Sequence, residues 1–261
     1  MMMTVKDMLC LEGKLALVSG GTQNFGAEIA QGLKEMGAEV IITSRQLEKA
    51  EAAAAAGGYI PEVLELTDEA SVAGLFARIK DKYGRLDILV NNAGGHTPEA
   101  TGRLETEPLP AWKTFIDANL TGTFLMLREY ARLMMNRGHG SVINIASISS
   151  LVGRDRTVYP EGMTPNPFPY TAAKAGVIGL TYDAAAYLGK YGIRVNAISP
   201  GGFERRQPEF FIKEYSARTM LGRMGEAGMD LKGAVVFLAS EAARYVTGHN
   251  LYVDGGFTRF K

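Results

Sequence analysis

A phenol and an ammonium group lie one helical turn apart in the second half of the chain. Tyr170 and Lys174 are four positions apart in an alanine-rich stretch with a helical pattern, so both side chains would lie on one helix face. A free phenol keeps its proton far above neutral pH, but a fixed positive charge nearby stabilises the phenolate. The pair is therefore a candidate acid-base catalyst. Because many helices contain this spacing by chance, the surrounding sequence has to support the interpretation.

A glycine-rich turn near the amino end supplies that support. Residues 19–26 read Ser-Gly-Gly-Thr-Gln-Asn-Phe-Gly, and they lie between an apolar run at 15–18 and a helical pattern that begins at Ala27. Glycines let the backbone approach a pyrophosphate closely, while the free amides and the dipole of the following helix attract the anion. A glycine-rich turn alone is a weak signal, but its position between a strand and a helix is the one that dinucleotide binding requires.

Three further segments follow in an order that is hard to obtain by chance. Residues 91–94 read Asn-Asn-Ala-Gly after a strand-like run, Asn119 precedes Leu-Thr-Gly, and Ser147 ends a second apolar run. With the turn and the Tyr-Lys pair, these segments give a chain that resembles the classical short-chain dehydrogenase/reductase family from about residue 11 to residue 257. The resemblance implies an NAD(P)-dependent oxidoreductase that interconverts a secondary alcohol and a ketone by hydride transfer.

The resemblance also implies a division of labour among four catalytic residues. Tyr170 would exchange a proton with the substrate oxygen, and Lys174 would lower the pKa of that tyrosine and bind the nicotinamide ribose. Ser147 would hydrogen-bond the substrate oxygen, and Asn119 would hold a water that links Lys174 to solvent. A serine at a strand end also caps turns and an asparagine also distorts helices, so the last two assignments depend on the Tyr-Lys pair.

The cofactor-binding set implied by the resemblance follows the carboxyl ends of the strands. It comprises Gly20, Thr22, Asn24, Phe25, Gly26, Ser44, Arg45, Glu65, Leu66, Asn92, Ala93, Gly94, Tyr170, Lys174, Pro200, Gly201, Gly202 and Phe203. An acidic residue after the second strand would bind the adenosine ribose hydroxyls and repel a 2′-phosphate. Ser44 and Arg45 stand there instead, and a guanidinium suits phosphate. NADP(H) is therefore favoured, with NAD(H) as the alternative if Arg45 only stacks on adenine or faces solvent.

Two positions in this set depart from the family pattern. Asn24 stands where the phosphate turn normally has its middle glycine, and Glu65 replaces a shorter acidic residue that contacts adenine. Asparagine tolerates left-handed backbone conformations better than most residues. The substitution therefore need not disrupt the turn, although it can change the cofactor geometry locally.

Two segments differ from a minimal family member and are expected to bind the substrate. The first, 153–169, is rich in proline and contains Tyr159, so it predicts a structured loop rather than a helix. In the second, 203–225, Arg205 stands where the family usually has a threonine, and Arg206 follows it. Arginines can bind a carboxylate or phosphate of the substrate. The alternative is a salt-bridged lid in which the arginines pair with nearby acidic residues, namely Glu204, Glu209 and Glu214.

These features favour a small polar substrate, and the chain resembles the gluconate 5-dehydrogenase-like and other sugar-acid or polyol dehydrogenases of the family. A 3-oxoacyl-thioester reductase is the main alternative, since Phe203, Phe210, Phe211 and Ile212 could line an apolar channel. A cofactor-binding scaffold without turnover is a third, disfavoured because both Tyr170 and Lys174 are retained. His96 is expected to be a loop residue near the cofactor, and no metal site is predicted.

Bulk composition excludes several classes of partner. The 261 residues include 28 basic and 28 acidic side chains, so the global positive charge of a nucleic-acid binder is missing. Cys10 is the single cysteine and rules out an internal disulfide. The first fourteen residues lack the unbroken apolar core of a signal peptide, and no apolar run reaches membrane-spanning length. The expectation is a cytoplasmic protein with a small-molecule substrate.

The alternation of short apolar runs with longer amphipathic stretches predicts an α/β fold. We expect one Rossmann-type doubly wound domain over 1–261, with a seven-stranded parallel sheet and helices on both faces. Strands are predicted near 14–19, 39–43, 62–66, 86–91, 140–147, 194–199 and 249–253. Helices are predicted near 26–36, 46–56, 69–83, 111–136, 169–189 and 230–240. The resemblance further implies a homotetramer assembled through the helices near 111–136 and 169–189 and the last strand.

Overall fold

The computed structural model describes residues 3–95 and 97–260, so His96 lies outside the described residues. Its strands are β1 (Leu15–Val18), β2 (Glu39–Ser44), β3 (Ile60–Val63), β4 (Ile88–Asn91), β5 (Gly140–Ile145), β6 (Ile193–Pro200), β7 (Phe203–Glu204), β8 (Gly225–Glu226) and β9 (Asn250–Val253). Its helices are α1 (Val5–Leu9), α2 (Asn24–Glu35), α3 (Leu47–Gly57), α4 (Glu69–Tyr83), α5 (Leu109–Ile116), α6 (Gly122–Met134), α7 (Phe168–Leu188), α8 (Glu209–Ser216) and α9 (Lys232–Ala239).

Seven of the strands form one parallel sheet in the order β3-β2-β1-β4-β5-β6-β9. The strand order reverses between β1 and β4, and at such a reversal the neighbouring crossovers diverge and leave a crevice beyond the carboxyl ends of the strands. The predicted doubly wound, seven-stranded sheet is confirmed. The remaining strands, β7 and β8, pair with each other in a small ribbon beside the carboxyl end of β6.

The sheet has a hydrophobic core on each face, because the central strand β1 is apolar at every position and its neighbours are mostly apolar. Along β1, Ala16 and Val18 belong to one core and Leu15 and Leu17 to the other, as the twofold alternation of strand side chains requires. Helices α2 and α9 cover the first core. Helices α4, α6 and α7 cover the second.

Two predicted elements differ from the observed ones. The third strand begins at Ile60 and ends at Val63, earlier than the prediction, because Leu64 and Leu66 are buried after the strand rather than within it. The helix predicted at 111–136 is interrupted by one π-helical segment, Asp117–Thr121, between α5 and α6. The predicted stop of α3 is confirmed, since Gly58 caps it in the left-handed region with φ 67°.

Candidate active site

The phosphate turn between β1 and α2 leaves no room for a side chain at Gly21 or Gly26. A Cβ added to Gly26 would lie 2.0 Å from the carbonyl oxygen of Gly20, and one added to Gly21 would lie 2.7 Å from Ile42. Gly20 itself has φ 64°, and Asn24 has φ 49°, which confirms that Asn24 takes the left-handed conformation of the glycine it replaces. The turn is therefore preserved, and its backbone passes directly over the end of the sheet.

The amino end of α2 has the features of an anion-binding site. Gln23 is the residue that precedes the helix, and its side chain makes no capping hydrogen bond, so the first amides of α2 remain available as donors. The helix dipole adds positive potential at the same point. Together with the close approach at Gly26, this arrangement fits the pyrophosphate of NAD(P). Thr22 and Phe25, both half-buried, line the turn on either side of Asn24.

A hydrogen-bond network fixes this turn to the neighbouring strand β4. The Ser19 hydroxyl accepts hydrogen bonds from the amides of Asn92 and Ala93, each at 3.0 Å. The Asn92 side chain donates in turn to the Ser19 carbonyl at 3.0 Å and to the Gly20 carbonyl at 3.3 Å. Sequence reasoning missed Ser19, although a hydroxyl at the end of a buried apolar strand is the signal that marks such a role.

The residues expected to bind the adenosine part of the cofactor differ in how many protein hydrogen bonds they make. Arg45 is exposed just beyond β2, and its guanidinium has no hydrogen bond or ion pair with the described residues, so it is free to meet a ligand. The Ser44 hydroxyl accepts from the amide of Gln46 at 3.3 Å. Glu65 accepts from Thr67 at 2.8 Å and 3.2 Å, while Leu66 is buried under the glycine that begins α6.

The catalytic candidates Tyr170 and Lys174 lie on the first two turns of α7. The Lys174 ammonium is buried, donates to the carbonyl of Ile145 at 2.8 Å, and lies 5.8 Å from the centre of the Tyr170 ring. Burial lowers the pKa of Lys174 to about 8, because desolvation disfavours the charged form. The structure therefore places the pair side by side, with the lysine anchored on the end of β5.

Ser147 follows β5 and faces the Tyr170 phenol. Burial raises the pKa of Tyr170, whereas a hydrogen bond with Ser147 and the charge of Arg154 act in the opposite direction. The charge of Arg154 thus acts on Tyr170 from the loop side, while the Lys174 ammonium beside the ring donates to the Ile145 carbonyl. The Ser147 hydroxyl also accepts from the amide and hydroxyl of Ser149 at 3.2 Å and 3.0 Å.

Asn119 occupies the centre of the π-helical segment and is buried. Its amide nitrogen donates to the carbonyls of Phe115 at 3.0 Å and Gly95 at 3.1 Å. A Cβ on Gly94 would lie 2.3 Å from its side-chain oxygen, so the asparagine packs against the predicted Asn-Asn-Ala-Gly segment. Single π-helical turns inside helices are frequent at functional sites.

The predicted substrate arginines lie elsewhere than expected. Arg205 donates to Glu28 of α2 at 2.5 Å and covers the ring of Phe25 at 4.9 Å, so it belongs to the phosphate turn in this structure. Its carboxylate partner is not Glu204, Glu209 or Glu214, so the salt-bridged lid hypothesis is wrong for Arg205. Glu28 is far away in sequence, but it lies on the buried face of α2, where an acidic side chain needs a partner. Arg206 is exposed, with φ 112°.

An aromatic cluster closes the crevice on the side of the substrate loops. Tyr159 packs on Phe211 with ring centres 5.2 Å apart, and Tyr215 stacks on Phe257 at 4.6 Å. The Tyr215 hydroxyl accepts from the amide of Gly202 at 2.5 Å. Sequence reasoning missed Tyr215, whose ring also fills the space next to Gly201 and Gly202.

The loop before α7 is held in place by charged contacts. Arg218 donates to Asp155 at 2.7 Å and to Glu214 at 2.8 Å, and Arg156 donates to the carbonyl of Gly102 at 2.9 Å. The predicted structured loop is confirmed, apart from one 3₁₀ turn at Arg156–Val158. These anchors fix the wall that faces Tyr170.

The remaining predicted cofactor residues lie at the carboxyl end of β6. Pro200 ends the strand, and the Gly201 amide donates to Val253 of β9 at 2.9 Å. Phe203 is buried and meets the ring of Phe25 edge-on at 4.8 Å. Residues from β1, β4 and β6 thus border a single crevice.

Other ligand classes find less support in the described structure. Across residues 3–95 and 97–260, no three His, Cys, Asp or Glu side chains are grouped as a metal site. None of the helices in those ranges is both long and apolar enough to cross a membrane.

Comparison with known proteins agrees with this architecture. Residues 20–258 match the family model described as enoyl-(acyl carrier protein) reductase. The chain is 36% identical to the 3-oxoacyl-[acyl-carrier-protein] reductase of Haemophilus influenzae, over 94% of this chain and 98% of that protein. It is 34% identical to the gluconate 5-dehydrogenase of Gluconobacter oxydans, over 98% and 99% respectively.

A solved structure is similar over nearly the same length. The gluconate 5-dehydrogenase of Burkholderia cenocepacia, in complex with NADP and tartrate, superposes with a TM-score of 0.87 at 33% identity, covering 98% of this chain and 99% of that one. Sequence, fold and site geometry agree. The chain belongs to the classical short-chain dehydrogenase/reductase family, the NAD(P)-binding oxidoreductases that act on CH–OH groups.

Proposed function

We propose that this enzyme oxidises a secondary hydroxyl of a small sugar acid or polyol to the ketone, and catalyses the reverse reduction, with NADP(H) as the favoured cofactor. The observation that carries the proposal is the placement of Ser147, Tyr170 and Lys174 at one end of the crevice, beside a cationic and aromatic wall. When bound, NADP(H) accepts or supplies the hydride. The protein residues hold the reacting oxygen and move its proton.

The proton chemistry follows from the contacts of Tyr170. Ser147 fixes the substrate oxygen against the phenol, so that the proton passes over one short hydrogen bond. Burial keeps the phenol protonated and ready to donate to a ketone, since it raises the pKa of Tyr170. In the oxidation direction the same phenolate accepts the alcohol proton, and nearby positive charge makes that form accessible.

Two observations support a small polar substrate over an acyl thioester. The phenylalanines that would line an apolar channel are mostly buried within the protein: Phe203 against Phe25, and Phe211 between Tyr159 and Tyr215. Phe210 is exposed. The Burkholderia relative, which was solved with tartrate, is a gluconate dehydrogenase. The 3-oxoacyl-thioester reductase remains the second candidate because a relative with that activity is 36% identical.

The test is turnover of both cofactors, followed at 340 nm, with sugar acids, polyols, keto acids and 3-oxoacyl thioesters. We expect a sugar acid or its keto form to give the highest kcat/KM with NADP(H). Tyr170→Phe should lower kcat by at least ~10² while NADPH still binds, because general acid-base catalysis typically contributes that much. Preferred turnover of thioesters would favour the second candidate. Tight NADPH binding without turnover of any alcohol or ketone would favour a non-catalytic scaffold.

We further propose a homotetramer in the cytoplasm, without nucleic-acid or membrane partners. Large apolar side chains on α5, α6 and α7 support assembly, because Trp112, Phe124, Tyr182 and Tyr187 are between 39% and 58% exposed. A second apolar surface lies beside β9, where Met220 and Leu221 border a cleft of about 410 Å³. Exposed apolar patches of this kind mark protein-protein contacts. The free Cys10 suits a reducing compartment.

A further inference from the structure

The arginines of the substrate loop differ in what they bind. Arg156 donates to the Gly102 carbonyl and covers the ring of Phe168 at 4.8 Å. Arg218, which reaches the loop from behind α8, is neutralised by two carboxylates. Arg154 has neither an aromatic nor an acidic partner among the described residues. Its one protein contact is a hydrogen bond from Nη1 to the carbonyl of Asn166.

That contact leaves most of the guanidinium available to a ligand. A guanidinium carries five N–H donors in a planar fork, and the Asn166 carbonyl accepts from one of them. The side chain is half-buried, so its charge is partly shielded from water and interacts more strongly with a nearby anion than a surface arginine would. The two oxygens of a carboxylate match the fork, as those of a phosphate also do, and a carboxylate is the anionic group of a sugar acid.

The position of Arg154 places this charge at the reacting end of the crevice. Asn166, which holds the guanidinium, is four residues before Tyr170, at the amino end of α7. Burial raises the pKa of both Tyr170 and Tyr159, and the charge of Arg154 opposes that rise at both phenols. The hydrogen bond to Asn166 thus holds the guanidinium beside the amino end of α7, on the side of the loop that carries Tyr159 and close enough to Tyr170 for its charge to act on both phenols.

We propose that Arg154 is a specificity-determining residue that binds a carboxylate of the substrate beside the Tyr170 hydroxyl. The inference rests on the proposed function and narrows it. With the reacting oxygen fixed by Ser147 and Tyr170, a carboxylate on Arg154 must belong to the same small molecule as the reacting carbon. Compact hydroxy acids satisfy that geometry, whereas neutral polyols leave the guanidinium without a partner.

The kinetic test uses the full-length enzyme, Arg154→Gln, Arg154→Lys and the control Arg244→Gln. Arg244 is exposed near the amino end of β6, at the end of the sheet opposite to the crevice. Its substitution therefore removes the same charge far from Tyr170. For the best hydroxy-acid substrate, we expect Arg154→Gln to raise KM at least ~10-fold, as loss of a charge-assisted hydrogen bond does, with partial rescue by Arg154→Lys. For the neutral polyol without the carboxylate, kcat/KM should change less than ~3-fold. Equal losses on both substrates, or no loss on the acid, would overturn the proposal.

A binding measurement separates failure of this inference from failure of the proposed function. Gluconate and tartrate should raise the melting temperature of the wild-type NADP complex and of Arg244→Gln, but not of Arg154→Gln. If no alcohol is turned over and this carboxylate-dependent shift is still seen, the proposed reaction fails while the site stands. If neither acid shifts the wild-type complex, or if both shift Arg154→Gln equally, the site is refuted.

Discussion

Lys174 is a cation that the folded protein keeps almost out of water. It has one protein hydrogen bond, to the Ile145 carbonyl, and no carboxylate partner among the described residues. An uncompensated buried charge destabilises the native state, so this residue reduces stability at the position where function needs it. The same trade-off is common at active sites.

Replacement of Lys174 by methionine should therefore abolish turnover and stabilise the fold. Because burial lowers the pKa of Lys174 to about 8, below its unfolded value of about 10.4, the unfolded state binds the proton more tightly. The cost is full below pH 8 and disappears as pH rises towards 10. We expect Lys174→Met to raise the free energy of unfolding by about 1–3 kcal/mol at pH 7, with a smaller gain at pH 9.5, in urea titrations followed by circular dichroism.

A control for that measurement is Lys213→Met, which removes an exposed lysine from α8. Its effect should stay within about 0.5 kcal/mol at both pH values. A loss of stability in Lys174→Met at pH 7 would show that the ammonium contributes more through its hydrogen bond than it costs through desolvation.

Arg45 is the residue on which cofactor choice should depend. Its exposed guanidinium beyond β2 has no partner in the described structure, so a 2′-phosphate would gain a charge-assisted contact. Arg45→Ala should weaken NADPH binding by about 10-fold or more and NADH binding by less than ~3-fold, as measured by nucleotide fluorescence titration. Arg244→Ala is the control, because it removes an exposed guanidinium near the amino end of β6, and it should change neither affinity. Equal losses for both nucleotides would mean that Arg45 only stacks on adenine.

At the scale of elements, a buried ion pair joins the segment after β7 to helix α2. The carboxylate of Glu28 is 9% exposed, and one of its oxygens accepts from Arg205 at 2.5 Å. The other oxygen has no partner in the described structure. The loop that borders the cofactor crevice is thus held by a contact between segments 177 positions apart.

Arg205→Gln should destabilise the protein by about 1–3 kcal/mol, because it leaves the Glu28 charge buried and unpaired. The double substitution Glu28→Gln with Arg205→Gln should recover most of that loss, and a double-mutant cycle of melting curves measures the coupling. If Arg205→Gln keeps full stability but lowers kcat/KM, the arginine binds substrate, as its position in the sequence suggests, and the ion pair is secondary.

A second group of charged contacts lies at the amino ends of the strands, just before β4. Asp87 accepts hydrogen bonds from the Leu15 amide at 2.8 Å and from Arg85 at 3.1 Å, and it faces His139 at 3.0 Å. Burial favours the neutral form, but the hydrogen bonds from Leu15, His139 and Arg85 together bring the pKa of Asp87 below its usual range. The carboxylate therefore ties β1, β4 and the turn before β5 together.

The stabilisation from Asp87 is present above its unfolded pKa of about 3.9 and is lost as pH falls through its lower folded pKa. Asp87→Asn should cost about 1–3 kcal/mol at pH 7, and the deficit should narrow near pH 3. Urea unfolding at both pH values measures it. The exposed Asp81→Asn is the control and should match wild type at each pH.

The elements show where sequence reasoning succeeds and where it fails. Asn24 could be assigned its left-handed conformation because local backbone sterics decide it. The Glu28–Arg205 pair could not be predicted, since only the tertiary fold brings α2 beside the segment after β7. The early end of the third strand could not be predicted for a related reason, because Leu66 beyond the strand is buried against Gly122 of α6, which is distant in sequence.

At the scale of the whole molecule, the two ends of the strands carry different kinds of residue: contacts that stabilise the fold lie at one end, and the candidate active site lies at the other. The amino ends of its strands carry Asp87, His139 and Arg194, which bind backbone groups of neighbouring segments. The carboxyl ends carry the glycine turn, the candidate catalytic residues and the exposed Arg45. This division follows from the reversal of strand order between β1 and β4, which opens the crevice only at the carboxyl ends of the strands.

The proposed assembly can be tested on the same scale. Light scattering should give the mass of a tetramer for wild type. Phe124→Glu, which places a charge on the exposed apolar face of α6, should reduce that mass while the circular dichroism spectrum is retained. Tyr245→Glu is the control, because Tyr245 is fully exposed beyond α9. A monomeric wild type, or a Phe124→Glu protein with unchanged mass, would contradict assembly through these helices.

The direction of the Asn119 side chain depends on the number of residues in the π-helical segment Asp117–Thr121. A π turn holds one residue more than an α turn, and each residue advances a helix by about 100°. Deleting a single residue there would let α5 and α6 join as one regular helix. It would also rotate the side chains of α6 by about 100° relative to those of α5. Point substitutions preserve this register and length changes do not, so the segment should tolerate exchange of its exposed side chains but no insertion or deletion.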